Sequence, residues 1–306
     1  MIPEVSVSFP WQVLAGVSAA RRRNLLRQVR ESGLHGVTVG DHISFQGGAG
    51  FDGLVSAASL LASDDEIPVL VAVYLLALRH PMAVARQVAT LSELSPGRLT
   101  LGVGVGGDDR AEVANAGVDP STRGRRTDES LELVRRLLDG EEVTHHGEFF
   151  MLDSARVLPA PSPGVPVVVG GKGRAAVRRT AALGDGWIGI FCSARRFGET
   201  RSSILEESAR IGREAPPTWF GASVWCGIDR DPAVAEASLG GEMESLYKLP
   251  YDKFRHIAPA GNPEHVAGWL APFVAAGAAH LTLVPAGPSP EASVDAVAEV
   301  ARILRA

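Results

Sequence analysis

Short β-branched runs alternate with amphipathic helical stretches from one end of the 306-residue chain to the other. That alternation constrains the fold more than any other feature, because it marks βα units feeding a parallel sheet. Residues 5–9 read as the first strand and 19–32 as its helix, with Leu25, Leu26 and Val29 on one face and Gly33 as the stop. Residues 36–39 form a second strand that runs into Gly40-Asp41-His42. A helix over 51–62 leads to a third strand at 68–76, so uniformly apolar that both faces must be covered. Pro81 opens the next helix and Ser95-Pro96-Gly97 closes it. The fourth strand is 98–103, and a helix follows at 123–138. Residues 141–158 interrupt the rhythm with a hairpin around Gly147. The pattern resumes with strands at 165–169, 186–190, 218–226 and 280–284 and helices at 175–183 and 195–212. Two further helices are opened by Asn262-Pro263-Glu264 and Ser289-Pro290-Glu291. Between them and the seventh strand, residues 231–262 read as one short helix in irregular sequence, an inserted, lid-like segment. Eight strands alternating with helices predict a (β/α)8 TIM barrel over 1–306 as a single domain. A doubly wound open sheet is the competing arrangement.

Composition narrows the function classes. Hydrophobic residues make up 45% and charged residues 21%, which excludes a disordered chain. A net charge of −5 gives no reason to expect nucleic acid or an anionic membrane as partner. No apolar run reaches the ~18 residues a bilayer requires, and Met1 to Pro10 lacks the pattern of a signal peptide. The expectation is a cytoplasmic protein. Cys192 and Cys226 stand far apart with no CxxC spacing, so neither a disulfide framework nor a zinc site is expected.

In a barrel, chemistry sits where strands end and the chain turns into the next helix. Asp41-His42 follows the second strand: a histidine exchanges protons near neutral pH, and a neighbouring carboxylate can hold its ring. A loop pair whose Asp caps a turn is the bland alternative. After the fourth strand, Gly102, Gly104 and Gly107 formally satisfy GxGxxG, but no dinucleotide fingerprint follows. These glycines either let strand and helix pack closely or let backbone run against a flat ligand or phosphate. After the fifth strand, Gly170, Gly171, Lys172, Gly173 and Arg174 open a helix, a place for an anionic group, or else a glycine turn with solvated cations. Trp187 reads as core, and Arg123, Arg125 and Arg126 as helix-start or solvated residues. Arg79 either points into the site or serves helix entry. His145-His146 lacks metal-ligand partners, so no metal is expected. Leu75, Leu76, Phe191 and Trp225 suit either a core or an apolar substrate wall.

Several stretches together resemble one family. Residues 31–43, ending in Asp41-His42-Ile43, are one; Arg79-His80-Pro81 and Ser95-Pro96-Gly97-Arg98, continuing into the glycines at 102–106, are the next. The run 123–129, the turn His146-Gly147-Glu148-Phe149-Phe150, residues 168–171 and Leu183-Gly184-Asp185-Gly186-Trp187 complete the set. In this order, over roughly 20–190, they resemble the bacterial luciferase-like flavin-dependent oxidoreductases. The resemblance implies a TIM barrel with a flavin-type cofactor at the strand C-terminal ends, either coenzyme F420 (a deazaflavin) or FMN. Asp-His after the second strand resembles the F420 type, so F420 is favoured. It also implies a non-proline cis peptide near Ala72-Val73 behind the ring, and backbone at Gly106, Gly107, Gly170 and Gly171 approaching the cofactor phosphate, which Lys172 and Arg174 would meet; Gly104 and Gly173 complete the candidate cofactor-binding residues. His42 would then move the proton that accompanies hydride transfer to or from a small organic substrate, and Asp41 would orient it. Alternatives are an FMN-dependent monooxygenase fed by a separate flavin reductase, a non-catalytic flavin-binding subunit, and an unrelated barrel enzyme acting on a phosphorylated small molecule. Family members are often homodimers.

Overall fold

Strand and helix positions follow the alternation of the sequence, and the parts of the chain that matter for the site gather in one of two compact units. The computed structural model describes residues 2–106 and 109–306. One unit comprises Met1–Thr38 with Trp187–Ala306, the other Val39–Gly186.

The first unit is built on β1 (Glu4–Ser8), followed by the short helix α1 (Trp11–Leu14) and by α2 (Ala19–Glu31), which Ser18 caps by accepting the Arg21 N–H. β1 pairs in parallel with β2 (Val37–Val39), Val7 opposite Val37. The remaining elements of this unit and of the other run in chain order as follows. In the second unit come α3 (Gly53–Leu61), β3 (Val69–Leu75), α4 (Pro81–Leu94), β4 (Leu99–Gly104), α5 (Arg110–Asn115) and α6 (Arg123–Leu138). The hairpin β5 (Val143–His146) and β6 (Met151–Ala155), then β7 (Val167–Gly170) and α7 (Gly173–Leu183), complete it. The chain returns to the first unit through β8 (Gly186–Ile190), α8 (Ala194–Arg210), β9 (Trp219–Ile228), α9 (Pro232–Tyr247), β10 (Ala260–Gly261), α10 (Pro263–Ala275), β11 (His280–Ala286) and α11 (Pro290–Arg305).

In the first unit β11 lies between β1 and β9, with Glu4 opposite His280 and Gly221–Gly227 running beside His280–Ala286. Helix α11 is tied to α2 by Arg21–Glu291 at 2.8 Å and by the Gln28 amide on Asp295. In the second unit β3, β4 and β7 are parallel neighbours, Val69 opposite Leu99 and Leu101 opposite Val167. Most of their residues are buried, Val71, Leu101 and Val167 completely, and Ala72, Val73 and Thr100 are partly exposed. Hydrogen bonding runs β10-β9-β11-β1-β2, with β8 also on β9, in the first unit and β3-β4-β7 in the second; the fold is a (β/α)8 barrel.

Three expectations need correction. Residues 231–262 hold a 16-residue helix, α9, then a 3-10 turn (Tyr251–Lys253) and β10 on the end of β9. Gly240 and Gly241 lower helix propensity and hid its length from the sequence. The segment is an insertion, since α10 supplies the regular helix after β9. Helix α5 was not expected; Asp109 caps it through the Ala111 and Glu112 N–H groups. The fifth parallel strand begins two residues later than expected, at Val167.

Candidate active site

The site is assembled at the ends of β2, β3, β4 and β7, and its first anchor is Asp41. This carboxylate is fully buried and accepts four hydrogen bonds: the Gly53 N–H and Leu75 N–H at 2.8 Å, and Arg79 Nη1 and Nη2 at 2.7 and 2.8 Å. Arg79 also donates to Asp52 at 2.8 Å and lies 4.1 Å over the Tyr74 ring. Asp52 in turn caps α3 through the Val55 N–H. One buried ion pair therefore ties the end of β2 to the start of α3 and the end of β3. Burial pushes the Asp41 carboxyl up from its ordinary value, while Arg79 and the two N–H donors pull against it. Burial likewise works against the Arg79 charge, but Asp41, with Tyr74 and Asp52, outweighs it and holds the guanidinium above its usual range. Burial also raises the Tyr74 hydroxyl.

Asp41 does not orient His42. Among the described residues its hydrogen-bond partners are those just named, and the carboxylate that meets His42 is Glu112, with Nδ1 3.2 and 3.3 Å from its two oxygens. Glu112 Oε1 also accepts the Ile43 and Ser44 N–H groups at 2.7 and 3.0 Å. His42 Nδ1 therefore faces both oxygens of a carboxyl group that is already tied to the loop backbone. The Glu112 side chain is 1% exposed and that of His42 32%, so the histidine reaches solvent from a buried support. Its ring stacks on Phe45, centroids 4.4 Å apart. Gly50, at φ +120°, backs it so closely that a Cβ there would sit 2.3 Å from the His42 Cβ. Asp109 holds the far side of the loop through the Gln46 N–H at 2.7 Å, and this donor with the Glu112 N–H lowers the Asp109 pKa.

The glycines divide into two kinds. Ala72-Val73 is a cis peptide and the register of β3 against β4 shifts there. A Cβ on Gly102 would fall 2.4 Å from the Val71 carbonyl, one on Gly104 2.5 Å from Val73 Cγ2, and one on Gly170 2.6 Å from Val73 Cγ1. These three are glycines because β4 and β7 pass directly over the irregular part of β3. Gly106, Gly171 and Gly173 have room for a Cβ but lie at φ +91°, +119° and +76°, where an L side chain is strained. Lys172 is the N-cap of α7 yet supplies no side-chain cap, and Lys172 and Arg174 are exposed. Gly107 lies outside the described residues. Thus Val73 brings Ala72, Gly104 and Gly170 together, Asp41 is tied to Leu75 at the end of the same strand, and His42 meets Glu112 on the helix after β4. Glu112 and Gly50 were missed by sequence reasoning. An acid a few residues beyond a glycine-rich strand end was the available signal for the first.

Other candidates take structural roles. Leu75, Leu76 and Trp187 are core. Arg125 pairs with Glu148, Arg126 donates to the Ala77 carbonyl and lies over Phe150, and His145 meets Glu129, so these hold the hairpin against α6. No cluster suited to a metal ion occurs among the described residues, and no helix of the described residues is long and apolar enough to cross a membrane.

A profile of the luciferase-like monooxygenases matches residues 4–269. The chain belongs to this family. Among luciferase-like relatives, an F420-dependent glucose-6-phosphate dehydrogenase of Kineococcus radiotolerans is 30% identical over 287 residues, 83% of each chain. An uncharacterized protein of Mycobacterium tuberculosis is 40% identical over 113 residues, and there the match spans only 38% of the relative's length. A solved F420-dependent secondary alcohol dehydrogenase superposes with a TM-score of 0.85 at 20% identity over the whole of both chains. A monooxygenase of Streptomyces bottropensis does so with a TM-score of 0.83 at 22% identity, over 99% of this chain and all of its own. At those identities the likeness is one of fold.

Proposed function

We propose that this luciferase-like chain is an oxidoreductase that transfers hydride between coenzyme F420 and a small organic substrate. The observation that carries the reading is the half-exposed His42 held at Nδ1 by the buried Glu112, on the helix that follows the glycines of β4. The F420-dependent relatives support deazaflavin over FMN. The start of α7, reached through Gly171 and Gly173 at positive φ and carrying the exposed Lys172 and Arg174, suits an anionic group, as the phosphate of such a cofactor requires. The backbone at Ala72-Val73, Gly104 and Gly106 would meet its ring system. When bound, the cofactor supplies a carbon that gives or accepts hydride.

The chain's own part is proton handling and positioning. His42 Nε2 delivers or removes the proton that accompanies hydride transfer. Glu112 fixes the ring with its proton on Nδ1 and stabilises the imidazolium when Nε2 is also protonated. Asp41 and Arg79 keep the strand end beneath His42 in place. Titrating the protein separately with coenzyme F420 and with FMN, followed by cofactor fluorescence, tests the assignment: F420 should bind the more tightly, and tight binding of FMN alone would overturn it.

A further inference from the structure

One face of the sheet in the first unit carries hydroxyls. β1 lies between β11 and β2, with Ser6 opposite Thr282 and Ser8 beside Thr38, and Thr282 is in turn opposite Ser223 of β9. Side chains alternate along a strand, so all of these project from the same side. The other side carries Val5, Val7, Leu281, Leu283, Ala222 and Val224, every one of them buried. Parallel strands of a barrel are ordinarily apolar on both faces, and these depart from that in the middle of their length.

The hydroxyls outnumber their partners. Thr38 and Thr282 are each 3% exposed, and their Oγ1 atoms lie 3.2 Å apart. The pair has two O–H protons and one hydrogen bond. Whichever threonine donates, the proton of the other meets no acceptor among the described residues. A buried hydroxyl left in that state is costly and rare. The side chains of Ser6, Ser8 and Ser223 also have no hydrogen-bond partner among the described residues. Each is partly exposed while both its chain neighbours are buried, so open space lies against this face and not the other.

Spacing and charge say what fills that space. Successive residues on one face of a strand are ~6.6 Å apart, too far for one hydrogen bond and about the reach of two, which a single water molecule supplies. Trp225 and Val284, next on the same face, are apolar and buried, and they close the row at its side. Glu4 and His280 stand opposite each other at the N-terminal end of the row and are already joined at 2.9 Å. Between that pair and the serines no charged side chain projects from this face of β1, β9 or β11 to compensate an ion. Uncharged hydroxyls that both donate and accept match water.

We propose that this face binds a file of ordered water molecules, running from the Glu4–His280 pair to the C-terminal ends of β1 and β2, and that the spare threonine proton is donated to one of them. The test is a crystal structure of the wild type at a resolution that orders solvent, together with oxygen-17 relaxation dispersion of water on the wild type, Ser6→Val, Ser223→Val and, as a control on the exposed face of α8, Ser202→Val. Water should lie within hydrogen-bond distance of Thr38 or Thr282 Oγ1 and of the serine hydroxyls. The dispersion should lose about one long-lived water in each of the two strand variants and none in Ser202→Val. A wild-type crystal with no water on either threonine hydroxyl overturns the proposal, as does a dispersion equal in the wild type and both strand variants, or one that falls as far in Ser202→Val. The wild-type crystal decides alone should a strand variant fail to fold.

Discussion

Glu112 Oε2 lies 3.2 Å from His42 Nδ1, although 70 residues separate the two in the chain, while the adjacent Asp41 turns to Arg79. Two acids thus divide the labour at the end of β2, one supporting the His42 ring and the other the strand end beneath it.

Removing the histidine separates binding from turnover. His42→Ala should bind coenzyme F420 nearly as the wild type does and turn over ~10²–10⁴ more slowly, the usual worth of general acid–base help. Steady-state rates with a carbonyl probe, beside a fluorescence titration of the cofactor, provide the check; equal turnover would remove His42 from the reaction.

Glu112→Gln keeps an acceptor for the Ile43 and Ser44 N–H groups but removes the charge opposite Nδ1. The expected result is a fall in kcat of about tenfold to a hundredfold with KM little changed. A change confined to KM would assign Glu112 to loop structure only.

Arg79→Met leaves the fully buried Asp41 carboxyl without its partner. Stability at neutral pH should fall by ~3–5 kcal/mol. An acid whose folded pKa is raised above its unfolded value is most compatible with folding below the unfolded pKa, and the folded state loses stability as pH rises through the folded one. Burial already pushes the Asp41 carboxyl up, so the deficit of the variant should shrink on acidification towards the ordinary carboxylate range. Urea denaturation of both proteins at several pH values measures this, and a pH-independent deficit would contradict it.

Gly50→Ala forces a Cβ to within 2.3 Å of the His42 Cβ at a backbone φ of +120°. The loop must shift, at roughly 1–3 kcal/mol, and His42 with it. Thermal denaturation reads the first effect and turnover the second; a variant unchanged in both would mean that the loop has an alternative path.

His280, in the first unit, stacks on Trp219 at 4.2 Å and faces Glu4 at 2.9 Å, with His35 beyond. Burial lowers its pKa; Glu4 opposes that and His35 adds to it. A base with a lowered folded pKa is proton-poor in the folded state, so the unfolded chain binds more protons just below the ordinary value of 6.5. Its contribution to stability is complete above that pH and declines as pH falls towards the folded pKa. His280→Asn should flatten this part of the stability curve.

The alternation of strands and helices made the barrel legible, because an apolar strand such as β3 and an amphipathic helix such as α6 declare themselves within a single window of sequence. Capping signals placed α4, α10 and α11 closely for the same local reason. Helix α9 was under-read because its two central glycines lower the helix propensity of every window that contains them. In the site, Asp41 and His42 were visible as residues, but their partners were not. Whether a carboxylate faces its neighbour or a distant arginine depends on the direction in which a loop leaves a strand. Likewise Gly102, Gly104 and Gly170 stood out in the sequence, and only the passage of two strands over Val71 and Val73 distinguishes packing glycines from those at positive φ.

Three loop amides, those of Ile43, Ser44 and Gln46, end on carboxylates of Asp109 and Glu112. The two strand-end turns are consequently geared together. Inserting or deleting one residue between Gly106 and Glu112 would rotate the acid out of reach and disable the histidine while leaving every participating side chain intact, so in this fold the spacing of that stretch is as much a determinant of activity as its residues.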